Sequence, residues 1–321
     1  MAQLASATIR YEFFLAAILV NIIFWFIWGA RLKVLSDSVD TTVHISWWEA
    51  TKIVIANLFL ASITPSMAGG EPVRIHMLTK DGLSTGSATA SVLGERLLDA
   101  IFLLVAVPFA FFIFKDRIDI QFISYGLTVG IAVFALAIIL FAYAIKYPDK
   151  TKRFLLYLNE KINRLLKRPH EKHTGVVERI NEEVDNFHEA MVFFLTKGRK
   201  SFVAAGLITV LFWSAGFMIP SLILLGLGLP PFVIESYAAQ VLLIIIVMVP
   251  TTPGSAGVTE GGVAALYSVL IGSSLLGVFV LLFRFITYHM NLIAGAIFQY
   301  KIFKSLTSLS LDSVDSKRKE K

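Results

Sequence analysis

Apolar residues run along this chain in blocks long enough to cross a bilayer, and two of the intervals between them carry the same series of breaks. Phe13 to Gly29 is the first block, followed later by Ser84 to Phe112, Phe122 to Ile145, Phe202 to Leu225 and Ser274 to Phe303. Each meets the requirement of about 20 apolar residues for a spanning helix. Other runs are too short to cross comfortably: Ile53 to Ile63 stops before Pro65, Glu235 to Val249 stops at Pro250, and Thr259 to Ile271 follows a glycine-rich break. Arg31 to Ser46 reads as a short polar link, with Trp47 and Trp48 as interfacial anchors after it.

The two broken segments are ITPSMAGGEPVRIHMLTKDGLSTGSATASVLG, Ile63 to Gly94, and VMVPTTPGSAGVTEGG, Val247 to Gly262. Each goes from an apolar helix through proline and glycine to a glutamate that opens a new helix. Pro65 corresponds to Pro250, Glu71 to Glu260, Gly82 to Gly272 and Arg96 to Arg284. Glu71 precedes Arg96 by 25 positions and Glu260 precedes Arg284 by 24. Paired broken segments in two halves point to a transporter's central site. The expected fold is therefore an all-α polytopic membrane protein with about six full spans and two re-entrant helical hairpins as inverted repeats. Eight full spans are the alternative, because the positive-inside rule barely separates the two. Residues 1–304 form a single transmembrane domain, with repeat one at about 47–112 and repeat two at about 235–304.

Composition agrees: 56% of the 321 residues are hydrophobic and the chain has no cysteine, which excludes disulfides, thiolate metal sites and cysteine nucleophiles. The net charge of +6 is concentrated. Residues 150–200 hold twelve Lys/Arg against seven Asp/Glu, and 301–321 hold six against three. Basic segments beside hydrophobic spans mark a cytoplasmic side and touch anionic lipid, so nucleic acid is not the partner. In the insertion at about 149–200, Phe154, Leu155, Leu158, Ile162, Leu165 and Leu166 alternate with Lys152, Arg153, Lys161, Arg164, Lys167 and Arg168. That pattern suits a basic helix on the membrane surface. Val177, Ile180, Val184, Phe187 and Met191 make a second stripe past Pro169, giving a cytoplasmic helical hairpin. Residues 305–321 read as a disordered basic tail. The expected location is the plasma membrane, multi-pass, with a cytoplasmic C-terminus.

Glu95, Arg96 and Asp99 lie within five residues inside the block from Ser84. A charge at the centre of a membrane helix costs roughly 2.5–3.5 kcal/mol on insertion scales, so these residues must face protein or water. On the same helix Gly86, Ala90 and Gly94 form a small-residue face suited to close helix packing. The breaks, with Gly69, Gly70, Gly254 and Gly257, would bring two helix amino ends together, where backbone N–H groups favour a phosphate. Arg96 and Arg284 offer the planar fork that binds phosphate or carboxylate at two points. The alternative reading holds each arginine internally, Arg96 by Asp99 and Arg284 by a glutamate, and makes Glu71 and Glu260 helix caps alone. Tyr288, Asn291 and Gly295 share a helical face with Arg284, expected to line a cavity. His289 reads as a packing residue or a proton carrier. His170 and His173 lack partners for zinc, so no metal or other cofactor is expected. There is no Walker loop and no nucleophile elbow.

The runs GGEPVRIHML, GERLLD and PTTPGSAGVTEGG, followed by the intramembrane Arg284, resemble the lysylphosphatidylglycerol synthetase transmembrane-domain family, also called the flippase-like domain family. The resemblance extends from about Phe13 to Phe303. It implies a flippase or scramblase-like transporter that moves a phosphate-bearing lipid, either a phospholipid or a polyprenyl-phosphate-linked one, between leaflets. Relatives like the bacterial synthetases carry a soluble aminoacyltransferase domain after this region, and here the chain ends at Lys321. Two alternatives stay open. One is an integral-membrane transferase with Glu95, Asp99 or Glu71 as base. The other is a non-catalytic membrane partner of a separate lipid-modifying or glycosyltransferase enzyme. A homo-oligomer is also compatible with the sequence.

Overall fold

The computed structural model describes residues 9–64, 70–114, 132, 135–136, 139–140, 142–165, 173–247 and 252–298. Pro65, Gly69, His170, Pro250, most of the expected span 122–145 and the tail 305–321 lie outside the described residues.

The first helix, α1 (Tyr11–Val39), is longer than the apolar block that announced it. Nothing between Arg31 and Val39 breaks a helix, and Leu32 and Leu35 continue the buried stripe begun by Ala17, Trp25 and Trp28. The expected polar link therefore shrinks to the turn after Val39, and Arg31 sits inside the helix, 1% exposed. Helix α1 packs antiparallel to α7 (Arg199–Gly226). Gly226 lies at Phe14, Gly216 at Phe24, and Thr209 at Arg31. The Phe24 ring stacks on Phe212 with centroids 4.3 Å apart.

Among the described residues, four helices are long and apolar enough to cross a membrane: α1, α4 (Thr85–Phe114), α7 and α10 (Ser273–Phe298). The protein is thus an all-helical, multi-pass membrane protein. Between these helices stand two pairs of shorter ones.

The first pair is α2 (Trp47–Ile63) and α3 (Gly70–Lys80). Helix α2 starts six residues before the apolar run, because Ser46 and Glu49 form a capping box: the Ser46 hydroxyl accepts the Glu49 N–H, and the Glu49 carboxylate accepts the Ser46 N–H. Trp47 and Trp48 stay about half exposed, as interfacial anchors would. Helix α3 folds back antiparallel along α2. Gly70 faces Asn57 so closely that a Cβ would sit 2.3 Å from its side-chain oxygen. Leu78 and Leu83 share a core with Ile45, Ala50 and Ile53, so the chain returns to the level at which α2 began. Gly82, with φ +107, makes the turn beside Val43.

The second pair, α8 (Val233–Val247) and α9 (Val258–Tyr267), repeats this antiparallel return. Gly262 meets Leu243 and Ile246, and one turn later the Gln240 side chain donates to the Tyr267 hydroxyl at 3.3 Å. Gly272, the counterpart of Gly82, closes this pair in an extended conformation instead of a left-handed one.

The insertion forms the expected hairpin. Helix α5 (Pro148–Leu165) packs on α6 (His173–Leu195), and Lys152 Nζ meets Asp185 Oδ1 at 2.6 Å. The end of α6 does not float on the surface. Met191 and Phe194 are fully buried in a core with Ala90, Leu97 and Leu98 of α4, Leu35 of α1 and Ala205 of α7. A Cβ on Gly94 would stand 2.6 Å from the Phe194 ring. The small-residue face of α4 thus receives an aromatic ring, a different means of close packing from two backbones touching.

Candidate functional site

The charges of α4 meet partners from three other helices. Glu95 is fully buried and shared by two arginines: Arg31 Nε donates to Oε1 at 3.0 Å, and Arg74 Nη1 of α3 donates to Oε2. Asp99, one turn on, accepts at Oδ1 from Arg31 Nη1 at 2.6 Å and from Trp213 Nε1 of α7 at 3.1 Å. Arg31 also reaches the Thr209 hydroxyl at 3.3 Å and lies 4.5 Å from the Phe212 ring centroid. A planar cation between carboxylates and an aromatic face is a low-cost way to hold charge away from water. Arg74 is less well served. It is 0% exposed, and its Nε and Nη2 have no hydrogen-bond partner among the described residues.

Arg96 points the other way from its neighbour Glu95. Its Nε donates to Glu71 Oε1 at 2.5 Å, and its Nη1 stands 3.6 Å from Asp99 Oδ2. This pair is open: the side chains of Arg96 and Glu71 are 42% and 44% exposed, against 1% each for Arg31 and Glu95.

The second pair of short helices builds the same element. Arg284 Nε donates to Glu260 Oε1 at 2.8 Å, while Glu260 Oε2 accepts the Gly257 N–H at 2.7 Å. Glu260 therefore caps α9 and holds the arginine at once. The approach to α9 has a left-handed backbone at Gly254, Ser255 and Gly257, with φ of +58, +52 and +84. Ser255 adopts a conformation that side chains rarely take. Arg284 Nη2 reaches the Gly254 carbonyl at 3.4 Å, and its guanidinium stacks 4.1 Å from the Tyr288 ring centroid. Tyr288 then donates to the Ser62 carbonyl of α2 at 3.1 Å. A Cβ on Gly254 would lie 2.8 Å from that same Ser62 oxygen. The tip of the second hairpin therefore abuts the tip-side end of α2 in the first.

Glu71 with Arg96 and Glu260 with Arg284, matched by spacing in the sequence, are thus matched by contact in space. Both arginines expected to present open forks are engaged by internal carboxylates. Asn291 and Gly295 are buried. Asn291 accepts from Trp25 Nε1 at 2.8 Å and donates to the Thr287 carbonyl at 2.6 Å, and Gly295 packs on Phe59. A π-helical turn at Phe285–His289 changes the register after Arg284, and Asn21 of α1 donates to the Ile286 carbonyl there at 3.0 Å. Such turns recur at functional sites. Glu95 and Asp99 are partners of Arg31 and Arg74, two arginines that sequence reasoning left out. Arg31 was masked by its apparent place in a link; the signal available was its position three residues after Trp28 and four before Leu35 on one helical face. Arg74 stood in the GGEPVR motif itself. Among the described residues no group of three or more His, Cys, Asp or Glu is placed to hold a metal.

Comparison with known proteins finds relatives along most of the chain. A UPF0104 membrane protein of Archaeoglobus fulgidus is 35% identical over 296 residues, covering 91% of this chain and 87% of its own. A UPF0104 membrane protein of Pyrococcus horikoshii is 26% identical over 310 residues, covering 93% and 90%. Another from Methanocaldococcus jannaschii is 26% identical over 287 residues, covering 88% and 82%. No solved structure matches. The family model described as the lysylphosphatidylglycerol synthase TM region matches residues 1–295, and the chain belongs to that family.

Proposed function

We propose that the protein is a flippase or scramblase that moves a phosphate-bearing lipid between leaflets of the plasma membrane, with its C-terminus in the cytoplasm. Helices α2–α3 and α8–α9 act as re-entrant hairpins entering from opposite sides, as inverted repeats do in transporters. The observation that carries the proposal is the half-exposed Arg96–Glu71 pair, next to a wholly buried charge cluster and echoed by Arg284–Glu260. An arginine held by one exposed carboxylate can exchange it for a headgroup phosphate of similar geometry, whereas Arg31, held by two buried carboxylates, has no such freedom. Arg96 is thus the first contact of the headgroup, Glu71 the group it displaces, and Arg284 with Glu260 and the α9 amino end the second station. The acyl chains remain in lipid.

A transferase fits less well. Two of its candidate bases, Glu95 and Asp99, are buried and held by Arg31, and neither faces an open site. Reconstitution of the purified protein with a fluorescent phospholipid or polyprenyl phosphate decides the matter. Movement of label between leaflets without chemical change supports the proposal. Chemical turnover would establish the transferase, and neither result would establish a partner of a separate enzyme.

A further inference from the structure

Helix α5 has two unlike faces. One turns to α6, where Thr151, Lys152, Leu155 and Leu156 are partly buried. The other is outward and carries Phe154 and Tyr157, more than half exposed, with exposed Leu158 beside them. Lys150, Arg153 and Lys161 are exposed on the same side. At the start of the helix, Lys146 and Lys150 place their ammonium groups 5.4 and 4.7 Å from the Tyr147 ring centroid. A ridge of aromatic and aliphatic side chains bordered by basic ones is unfavourable in water and matches a lipid interface rich in negative headgroups.

A second observation joins this face to the site. Helix α6, on which α5 rests, ends in Met191 and Phe194, both fully buried against α4 and α1. The Phe194 ring occupies the space beside Gly94, and the next residue is Glu95. Packing contacts therefore run from α5 through α6 to the α4 turn that holds Arg31 and Arg74.

We propose that the outward face of α5 docks on anionic phospholipid headgroups and that this docking, passed through Phe194, sets the packing around Glu95. Docking stands apart from the lipid-translocation reading; its effect on transport rests on that reading. The test uses full-length protein in vesicles of phosphatidylcholine with and without phosphatidylglycerol. The natural chain lacks cysteine, so Tyr157→Cys carries a single environment-sensitive fluorophore. Its emission should shift to the blue, and be shielded from an aqueous quencher, when phosphatidylglycerol is present. The combined K150Q, R153Q and K161Q substitutions should raise the phosphatidylglycerol fraction needed by roughly threefold or more. Equal emission in both lipids would overturn the docking. Hydrogen exchange at residues 90–99 should slow with phosphatidylglycerol in the natural chain and lose that response in F194A, whose fluorophore still shifts. Exchange indifferent to phosphatidylglycerol in the natural chain would overturn the coupling, whether or not the protein moves lipid.

Discussion

Arg31 and Arg96 both stand beside Asp99, and they differ greatly in what their removal should do. Arg31 is 1% exposed and serves Glu95 and Asp99 together. Arg31→Gln leaves Glu95 to Arg74 alone and Asp99 to the Trp213 indole and the distant Arg96 Nη1. Breaking a buried pair from one side costs about 3–5 kcal/mol, because a charge is stranded. Arg96→Gln removes a pair whose two side chains are over two-fifths exposed, for which about 0–1 kcal/mol is expected. The assay is the thermal midpoint in detergent, followed by loss of monodisperse protein. R31Q should melt well below the natural protein and R96Q within a few degrees of it. Adding D99N to R31Q should recover part of the loss, since Asp99 is then no longer a stranded charge while Glu95 keeps Arg74. Hydrogen bonds between membrane helices average about 0.6 kcal/mol. A loss of only that size for R31Q, or equal losses for R31Q and R96Q, would mean that water reaches the cluster and would refute the division into a fixed and an exchangeable arginine.

Gly254→Ala should destabilise the protein and block lipid movement, since the left-handed backbone is strained by any side chain and the new Cβ meets Tyr288 and the Ser62 carbonyl. Gly257→Ala, with nothing within 4 Å of its Cβ, should lose only the backbone preference of about 1–2 kcal/mol, readable as a smaller drop in the thermal midpoint. Single cysteines at Thr42 and Ser84, which flank the first hairpin, should label from one side of the membrane. Cysteines at Ile234 and Ser273, which flank the second, should label from the other. Labelling of Thr42 and Ser84 from opposite sides would replace the first hairpin by a single crossing, as eight full spans require.

The helix breaks were legible because proline and glycine act locally: Gly70, Gly254 and Gly257 each stand where a side chain or a negative φ would fail. The two Glu–Arg pairs were legible because each glutamate opens a short helix and each arginine lies within the long helix that follows. Arg31 was not, since a charge after an apolar block looks like its end, and only carboxylates 64 and 68 positions away reveal that the helix continues through it. Nor could spacing tell that Phe194 would fill the groove at Gly94, which depends on how the insertion folds back. The contact of Asn291 with Trp25 of α1 was hidden for a related reason: it follows a π turn, which apolar periodicity does not reveal.

The central claim is that Arg96 exchanges Glu71 for a headgroup phosphate, and translocation by folded Arg96 variants in proteoliposomes tests it most directly. Arg96→Lys keeps the charge and loses the bidentate fork, while Arg96→Gln loses both. Lipid movement should fall in the order Arg, Lys, Gln, with all three proteins monodisperse and close in thermal midpoint. Full translocation by folded R96Q protein would contradict the claim.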